Sequence, residues 1–187
     1  MKHICVFCTS WDPYPAIYKE ATIDLAERIA KKGYVLVYGG SDVGLMSVLA
    51  KTAQRNKGKV VGIIPEIFSD LQAQDDEIIK AKDFGERKAL MILRSDAFIC
   101  MPGGYGTLDE MSDVIVGKQI GAHNKPIVIV NINGFYNHLL AHFERMFGEN
   151  FANKDEHLYA LVETPAQAMH YLENYRPTQA PHSSSKG

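Results

Sequence analysis

The sequence predicts an α/β fold with a doubly wound parallel sheet. Short β-branched and apolar runs alternate with longer amphipathic stretches along most of the 187 residues. The short runs are apolar throughout, which is typical of parallel strands that are covered on both faces. Because crossovers between parallel strands are right-handed, such units wind into a Rossmann-like sheet with helices on both faces.

Strands and helices are expected to alternate along the chain. The first apolar run is 3–8, and in the stretch after it Ile17, Ala21 and Leu25 recur at near-helical spacing. Gly33 ends this first helix as a C-cap. The predicted strands are 3–8, 34–38, 59–64, 97–101, 126–131 and 158–162. The predicted helices are 16–32, 45–55, 84–94, 107–120, 135–147 and 165–175.

Two further segments are expected to lie outside these elements. Residues 66–82 are polar and poorly periodic, which predicts a surface loop with about one helical turn. No repeat or linker divides the sequence, so residues 1–175 are expected to form a single domain. Residues 176–187 are polar and are expected to be a disordered tail.

Composition and charge exclude several classes of protein. Lys and Arg number 20 against 22 Asp and Glu, a net charge of -2 that lacks the basic excess of a nucleic-acid binder. No apolar run approaches the ~20 residues of a membrane helix, and the apolar N-terminal stretch is too short for a signal peptide. Three cysteines without a secretion signal indicate a reducing compartment. A cytoplasmic protein with no nucleic-acid or membrane partner is therefore expected.

Two glycine-rich loops follow predicted strands, at the sheet edge where such folds bind ligands. They span 39–44 and 102–106, and each leads into a helix whose free N–H groups suit a phosphate. Glycine clusters also make tight turns, but two on one edge favour an anion-binding cleft. Neither loop has the Walker or dinucleotide-binding spacing, which favours a smaller ligand such as a nucleoside monophosphate.

Charged residues near the second loop suggest the chemistry. Three acids, Asp109, Glu110 and Asp113, lie near the start of the predicted helix 107–120. Glu110 and Asp113 are three residues apart and therefore share a helix face. First-turn acids often only complement the helix dipole. A carboxylate beside a sugar phosphate, however, fits glycosidic-bond hydrolysis, whose oxocarbenium-like transition state it stabilises. Arg87 and Lys88, in the preceding helix, are either a solvated face or phosphate ligands.

Residues 102–110 have the sequence PGGYGTLDE, which matches the pattern PGGxGTxxE. Together with Arg87 and Lys88, this nonapeptide closely resembles the LOG (Lonely Guy) family, the cytokinin riboside 5′-monophosphate phosphoribohydrolases. The similarity extends over residues 3–175. Further matching stretches are 5–8, 37–40, 43–46, 96–99 and 123–126.

The resemblance implies a homodimer that hydrolyses the N-glycosidic bond of nucleoside 5′-monophosphates. The substrates would be AMP and N6-prenylated AMP, and the products the free base and ribose 5-phosphate. Arg87 and Glu110 would be the catalytic pair, with no metal and no organic cofactor. The implied substrate-binding positions are Ser10, Gly40, Ser41, Gly44, Lys88, Gly103, Gly104, Tyr105, Gly106, Thr107, Asp109 and Asp113.

The chain departs from the usual residues of this family at several positions. Phe84 and Gly85 stand where members usually have Met-His, and Trp11 follows Ser10 where they usually have Ser-Ser. The proposed catalytic pair is kept, whereas positions on the base side and the dimer side differ. The other departures are Ser41 for Gly, Val116 and Gly117 for Thr-Trp, and Asp109 and Asp113 for Glu.

Two further pairs have the spacing of metal ligands. Cys5 and Cys8 form a C-x-x-C motif, but on a strand they point to opposite faces, which favours buried structural thiols. His138 and His142 lie four apart on a predicted helix without an obvious third ligand. Surface or dimer-contact histidines are therefore expected.

Three other functions stay open. A lysine decarboxylase would need PLP bound to a lysine, for which the sequence has no convincing pattern. A non-catalytic carrier of a nucleotide or of molybdenum cofactor shares the general fold and would bind without turnover. The third is an interaction module with a vestigial cleft, against which the retained Arg87, Lys88 and Glu110 argue.

Overall fold

A computed structural model of the chain describes residues 2–152, 154–155 and 157–177. Within these residues seven strands form one parallel sheet, and six α-helices pack on it. The strands are β1 (His3–Phe7), β2 (Val35–Tyr38), β3 (Val60–Pro65), β4 (Glu77–Ala81), β5 (Ala97–Cys100), β6 (Ile127–Val130) and β7 (Ala160–Val162). The helices are α1 (Ala16–Lys31), α2 (Gly44–Arg55), α3 (Phe84–Leu93), α4 (Tyr105–Gln119), α5 (Asn137–Gly148) and α6 (Pro165–Asn174). The expected tail lies outside the described residues from 178 onward.

The predicted fold class is confirmed. All six predicted strands and all six predicted helices are present, with bounds within two residues of the prediction. The strand order is β4-β3-β2-β1-β5-β6-β7, so the chain runs outward from β1 to β4 and then returns to the other side of β1. In doubly wound sheets the crevice for ligands lies where the strand order reverses. Here that point is between the carboxyl ends of β1 and β5.

Each face of the sheet carries three helices. One cluster of buried side chains joins α1, α2 and α6 to the sheet through Ile4 and Val6, and the other joins α3, α4 and α5 through Phe7. This division follows from the alternation of side chains along a strand. Cys8 packs in the first cluster and Cys5 in the second, which confirms that the C-x-x-C thiols face apart.

The prediction of a surface loop with about one helical turn over 66–82 is wrong at 77–81, where the chain forms a strand. A 3₁₀ helix spans Glu66–Leu71, and β4 follows it in parallel pairing with β3. Because β4 is the last strand on its side of the sheet, Glu77 and Lys80 can be exposed. The prediction relied on strands that are apolar throughout, a pattern that an edge strand does not need.

Local sequence sets where the two helices next to the crevice begin. The Asp83 carboxylate accepts the N–H of Glu86 at 2.8 Å and caps α3. The extended Gly104 precedes α4, with φ -91° and ψ -154°. Arg87 and Glu110 consequently lie in the early turns of α3 and α4, near the carboxyl edge of the sheet.

Candidate active site

A cavity of about 450 Å³ lies at the carboxyl edge of the sheet, lined mainly by residues that follow the five strands β1 to β5. It includes the point at which the strand order reverses. Eight predicted site residues line it: Ser10, Ser41, Arg87, Gly104, Tyr105, Gly106, Thr107 and Glu110. Six do not: Gly40, Gly44, Lys88, Gly103, Asp109 and Asp113.

A buried ion pair joins two walls of this cavity. Arg87 Nη1 donates to Glu110 Oε1 at 2.6 Å, and the two side chains are only 9% and 6% exposed. Arg87 Nε donates to the carbonyl oxygen of Ile63 at 3.0 Å, so the guanidinium is also tied to β3. The structure therefore brings together the two residues that the family resemblance implies as a catalytic pair.

The carboxyl of Glu110 is a stronger base than an ordinary glutamate. Burial raises its pKa above the ordinary value, and the positive charge of Arg87 opposes part of this rise. A carboxylate with a raised pKa takes up a proton more readily near neutral pH. Glu110 thus has a raised affinity for a proton, and Arg87 provides the counter-charge for its ionised form.

Gly39 is needed for the position of the guanidinium. It follows β2, and a Cβ atom added there would collide with Arg87 Nη2 and with the end of the Met46 side chain. The first glycine-rich loop thus leaves room for Arg87, a role that sequence reasoning did not assign to it.

The second glycine-rich loop supplies backbone donors to the cavity. Gly104 precedes α4 in an extended conformation, and no described side chain caps the helix. The first N–H groups of an α-helix have no partner within the helix, and the dipole makes this end attractive to an anion. Thr107 is buried, with its side chain packed against Gly103 so closely that a Cβ there would collide with it. This end of the cavity suits a phosphate.

The first glycine-rich loop contributes less to the anion site than the sequence suggested. The N–H of Gly44, at the start of α2, donates to the Asp12 carboxylate at 3.2 Å, so a carboxylate already occupies this helix end. The Gly40 carbonyl accepts the N–H of Ala73 at 3.0 Å and holds the segment before β4. Of the three predicted residues in this loop, only Ser41 lines the cavity.

Lys88, Asp109 and Asp113 form a separate cluster on α3 and α4. The Nζ atom of Lys88 lies 2.8 Å from Asp109 Oδ1 and 2.9 Å from Asp113 Oδ2. Hydrogen bonds to these two carboxylates raise the pKa of Lys88. The cluster links the two helices that carry Arg87 and Glu110.

The sequence analysis assigned no binding role to three aromatic residues of the lining. Trp11, Phe68 and Phe84 line the cavity and are exposed, with 78% of Trp11 accessible. The signal available for Trp11 was its place just after β1, on the same edge as the glycine-rich loops. Phe68 lies in the segment predicted as a loop, so its proximity to the site depends on the actual path of that segment.

Other reactive side chains do not add to the site. Cys8 lines the cavity, but burial raises the pKa of its thiol, which keeps it from acting as a thiolate. Throughout the described ranges, no three His, Cys, Asp or Glu residues are grouped so that they could hold a metal ion. His138 and His142 are exposed on α5, as predicted for surface histidines. Over the same part of the chain, no helix has the length and apolar character to cross a membrane.

Similar proteins share both sequence and fold with this chain. Residues 46–172 match a family model described as possible lysine decarboxylase. A cytokinin riboside 5′-monophosphate phosphoribohydrolase of Arabidopsis thaliana is 36% identical over 180 residues, which cover 94% of this chain and 79% of that protein. A protein of Oryza sativa subsp. japonica named as a probable enzyme of the same kind is also 36% identical, with 94% and 74% covered.

Two solved structures are similar over most of the chain. The molybdenum cofactor binding protein from Rippkaea orientalis has a TM-score of 0.72 at 21% identity, with 92% of this chain and 95% of that one covered. The molybdenum cofactor carrier protein of Chlamydomonas reinhardtii has a TM-score of 0.71 at 19% identity, with 92% and 96% covered. At these identities the likeness concerns the fold alone.

Proposed function

Because the chain belongs to the LOG family of cytokinin riboside 5′-monophosphate phosphoribohydrolases, we propose that it hydrolyses the N-glycosidic bond of nucleoside 5′-monophosphates. The proposed substrates are AMP and N6-prenylated AMP, and the products are the free base and ribose 5-phosphate. One observation carries the proposal: the buried Arg87–Glu110 pair and the uncapped N-terminus of α4 line the same cavity.

The 5′-phosphate binds at the start of α4. The backbone N–H groups of Tyr105, Gly106 and Thr107 are the first donors of this helix, and the Thr107 hydroxyl adds a further one. Ser41 lines the same cavity and can donate from its hydroxyl. Fixing the phosphate in this way holds the ribose near Glu110, one helical turn farther along α4.

Glu110 carries the chemical step. The bond between C1′ and the base nitrogen breaks, and its electron pair leaves with the base. The Glu110 carboxylate stabilises the positive charge that develops on the ribose ring. A water oxygen then forms the new bond to C1′, and Glu110 accepts the proton that this water loses, which ends on the departing base. Arg87 keeps Glu110 ionised and oriented until that moment.

The description of the matching family model raises a different cofactor chemistry. Lysine decarboxylation implies PLP, which such enzymes hold through a lysine. Among the described residues that line the cavity there is no lysine. Lys88, next to Arg87 in sequence, places its Nζ between Asp109 and Asp113. The residues present do not fit PLP, and no step through it is proposed.

Chromatography of free bases after incubation with AMP, N6-isopentenyl AMP, GMP, CMP and UMP tests the proposal. Wild-type protein is expected to release adenine from AMP, and Glu110→Gln is expected to release it about 10²–10⁴-fold more slowly because it loses the proton acceptor. Glu144→Gln, on the exposed surface of α5, is the matched control and should leave the rate unchanged. Binding of AMP without release of any base would refute hydrolysis and favour a carrier.

A further inference from the structure

We propose that Trp11 stacks on the base of the bound nucleotide and, together with Phe84, selects purine over pyrimidine monophosphates. The inference rests on the proposed function, because it assigns the base end of the same cavity. It concerns residues that take no part in the chemical step described above.

Trp11 is the only tryptophan of the chain, and it is 78% exposed although it lines the cavity together with Arg87 and Glu110. An indole presents a large apolar surface to water in this state. Exposed aromatic side chains at the wall of a cleft are characteristic of ligand-binding surfaces. The position of Trp11 therefore indicates contact with a ligand.

The loop that carries Trp11 is held in place on both sides. The N–H of Trp11 donates to Thr9 Oγ1 at 3.1 Å, and the carbonyl oxygen of Thr9 accepts the N–H of Leu45 at 3.0 Å. On the other side, Asp12 accepts the N–H of Gly44 at 3.2 Å. Because this backbone is already fixed to α2, only the side chain of Trp11 has to be ordered when a ligand binds.

Phe84 provides a second aromatic surface. Its ring contacts that of Phe68 edge to face, with centroids 5.7 Å apart and planes at 76°. Both rings line the cavity and remain partly exposed. Phe84 begins α3, the helix that carries Arg87, so this aromatic wall lies beside the ion pair.

The charge distribution assigns this wall to the base. The start of α4 offers N–H donors for the phosphate, whereas Trp11, Phe68 and Phe84 carry no charge and suit a flat, neutral ring. Stacking of a base on an aromatic side chain improves binding by about 5- to 150-fold. A bicyclic purine covers more of the indole than a pyrimidine does, so the wall discriminates by ring size.

Because Trp11 is the only tryptophan of the chain, the tryptophan fluorescence of the protein monitors the contact of this residue with a ligand. Rapid mixing of wild-type protein with AMP is expected to quench the tryptophan fluorescence before base is released, and UMP is expected to quench it less. Ribose 5-phosphate, which binds the same phosphate site without a base, should leave the fluorescence unchanged. Equal quenching by ribose 5-phosphate, or AMP binding by calorimetry without quenching, would overturn the proposal.

Variants separate stacking from a structural role. Trp11→Ala is expected to raise KM for AMP about tenfold at similar kcat, with the inhibition constant of ribose 5-phosphate unchanged. Trp11→Phe should restore most of the loss, and Phe151→Ala, an exposed aromatic outside the cavity, should change nothing. A weaker affinity of Trp11→Ala for ribose 5-phosphate by the same factor would mean that the loop is distorted, which contradicts the assignment.

The two proposals fail in different ways. Quenching by AMP without release of adenine leaves the stacking in place and removes the hydrolysis. Release of adenine with unchanged Trp11 fluorescence supports the hydrolysis and contradicts the stacking. A blue-shifted emission that depends on protein concentration, without any ligand, would place Trp11 against a second copy of this chain and overturn the stacking.

Discussion

Replacement of Arg87 by methionine leaves Glu110 buried without its counter-charge. Burial already raises the pKa of Glu110, and loss of the opposing charge of Arg87 raises it further in the folded variant. The unfolded chain releases the proton of this carboxyl around the ordinary value of 4.5. Removal of one partner of a buried ion pair costs about 3–5 kcal/mol, so a destabilisation of that order is expected for Arg87→Met at pH 7.

The same reasoning predicts how this destabilisation depends on pH. Because the folded-state pKa of Glu110 lies above the ordinary value of 4.5, the folded variant binds more protons than the unfolded chain above that pH, and its stability falls as pH rises from there. At pH 5 the charge-dependent part shrinks below about 1 kcal/mol. The variant also loses the hydrogen bond from Arg87 Nε to the Ile63 carbonyl oxygen, which adds about 1 kcal/mol to the destabilisation at every pH.

Urea unfolding followed by far-UV circular dichroism at pH 5, 6 and 7 measures both parts. The double variant Arg87→Met/Glu110→Met has no titrating group at this place and should recover at least about 2 kcal/mol over the single variant at pH 7. It should also have lost the extra pH dependence. Equal destabilisation of Arg87→Met at pH 5 and pH 7, or a double variant no more stable than the single one, would refute the reasoning.

Two further predictions concern neighbours of the site. Gly39→Ala is expected to lower the rate of adenine release at least tenfold, because the added Cβ displaces the Arg87 guanidinium. The control Gly148→Ala, where a Cβ meets open space, should leave this rate unchanged. The Asp75 carboxylate accepts the Tyr38 hydroxyl at 2.9 Å. Burial raises the pKa of Asp75 from 3.8 to about 6. The folded protein therefore becomes less stable as pH rises between these two values and Asp75 ionises. After allowance for solvent screening, Asp75→Asn should gain about 1 kcal/mol at pH 8 and little at pH 4 in urea unfolding, and an equal gain at both would contradict this assignment.

Most of the fold followed from local patterns in the sequence. Strands buried on both faces must be apolar along their whole length, and amphipathic helices must repeat their apolar residues every three or four positions. Both patterns are visible without any contact information. The edge strand β4 was not predicted, because only one of its sides pairs with another strand and Glu77 and Lys80 can remain at exposed positions.

The polar and charged groups of the candidate site were also visible in the sequence, but their orientation was not. The glycine-rich nonapeptide and the neighbouring Arg87 and Lys88 indicated an anion site with a carboxylate beside it. Successive helix residues project about 100° apart, so neighbours such as Arg87 and Lys88 cannot point the same way. Sequence spacing alone left open which of the two faces the cavity.

Only the packing of α3 against α4 decided that question. It directs Arg87 and Glu110 into the cavity and leaves Lys88 with Asp109 and Asp113 on the outer side. The path of the segment after β3 likewise brought Phe68 to Phe84 at the cavity wall. These placements depend on contacts between residues far apart in sequence, for which local periodicity carries no signal. The sequence by itself determined the elements and the reactive groups, and the tertiary structure decided which groups meet.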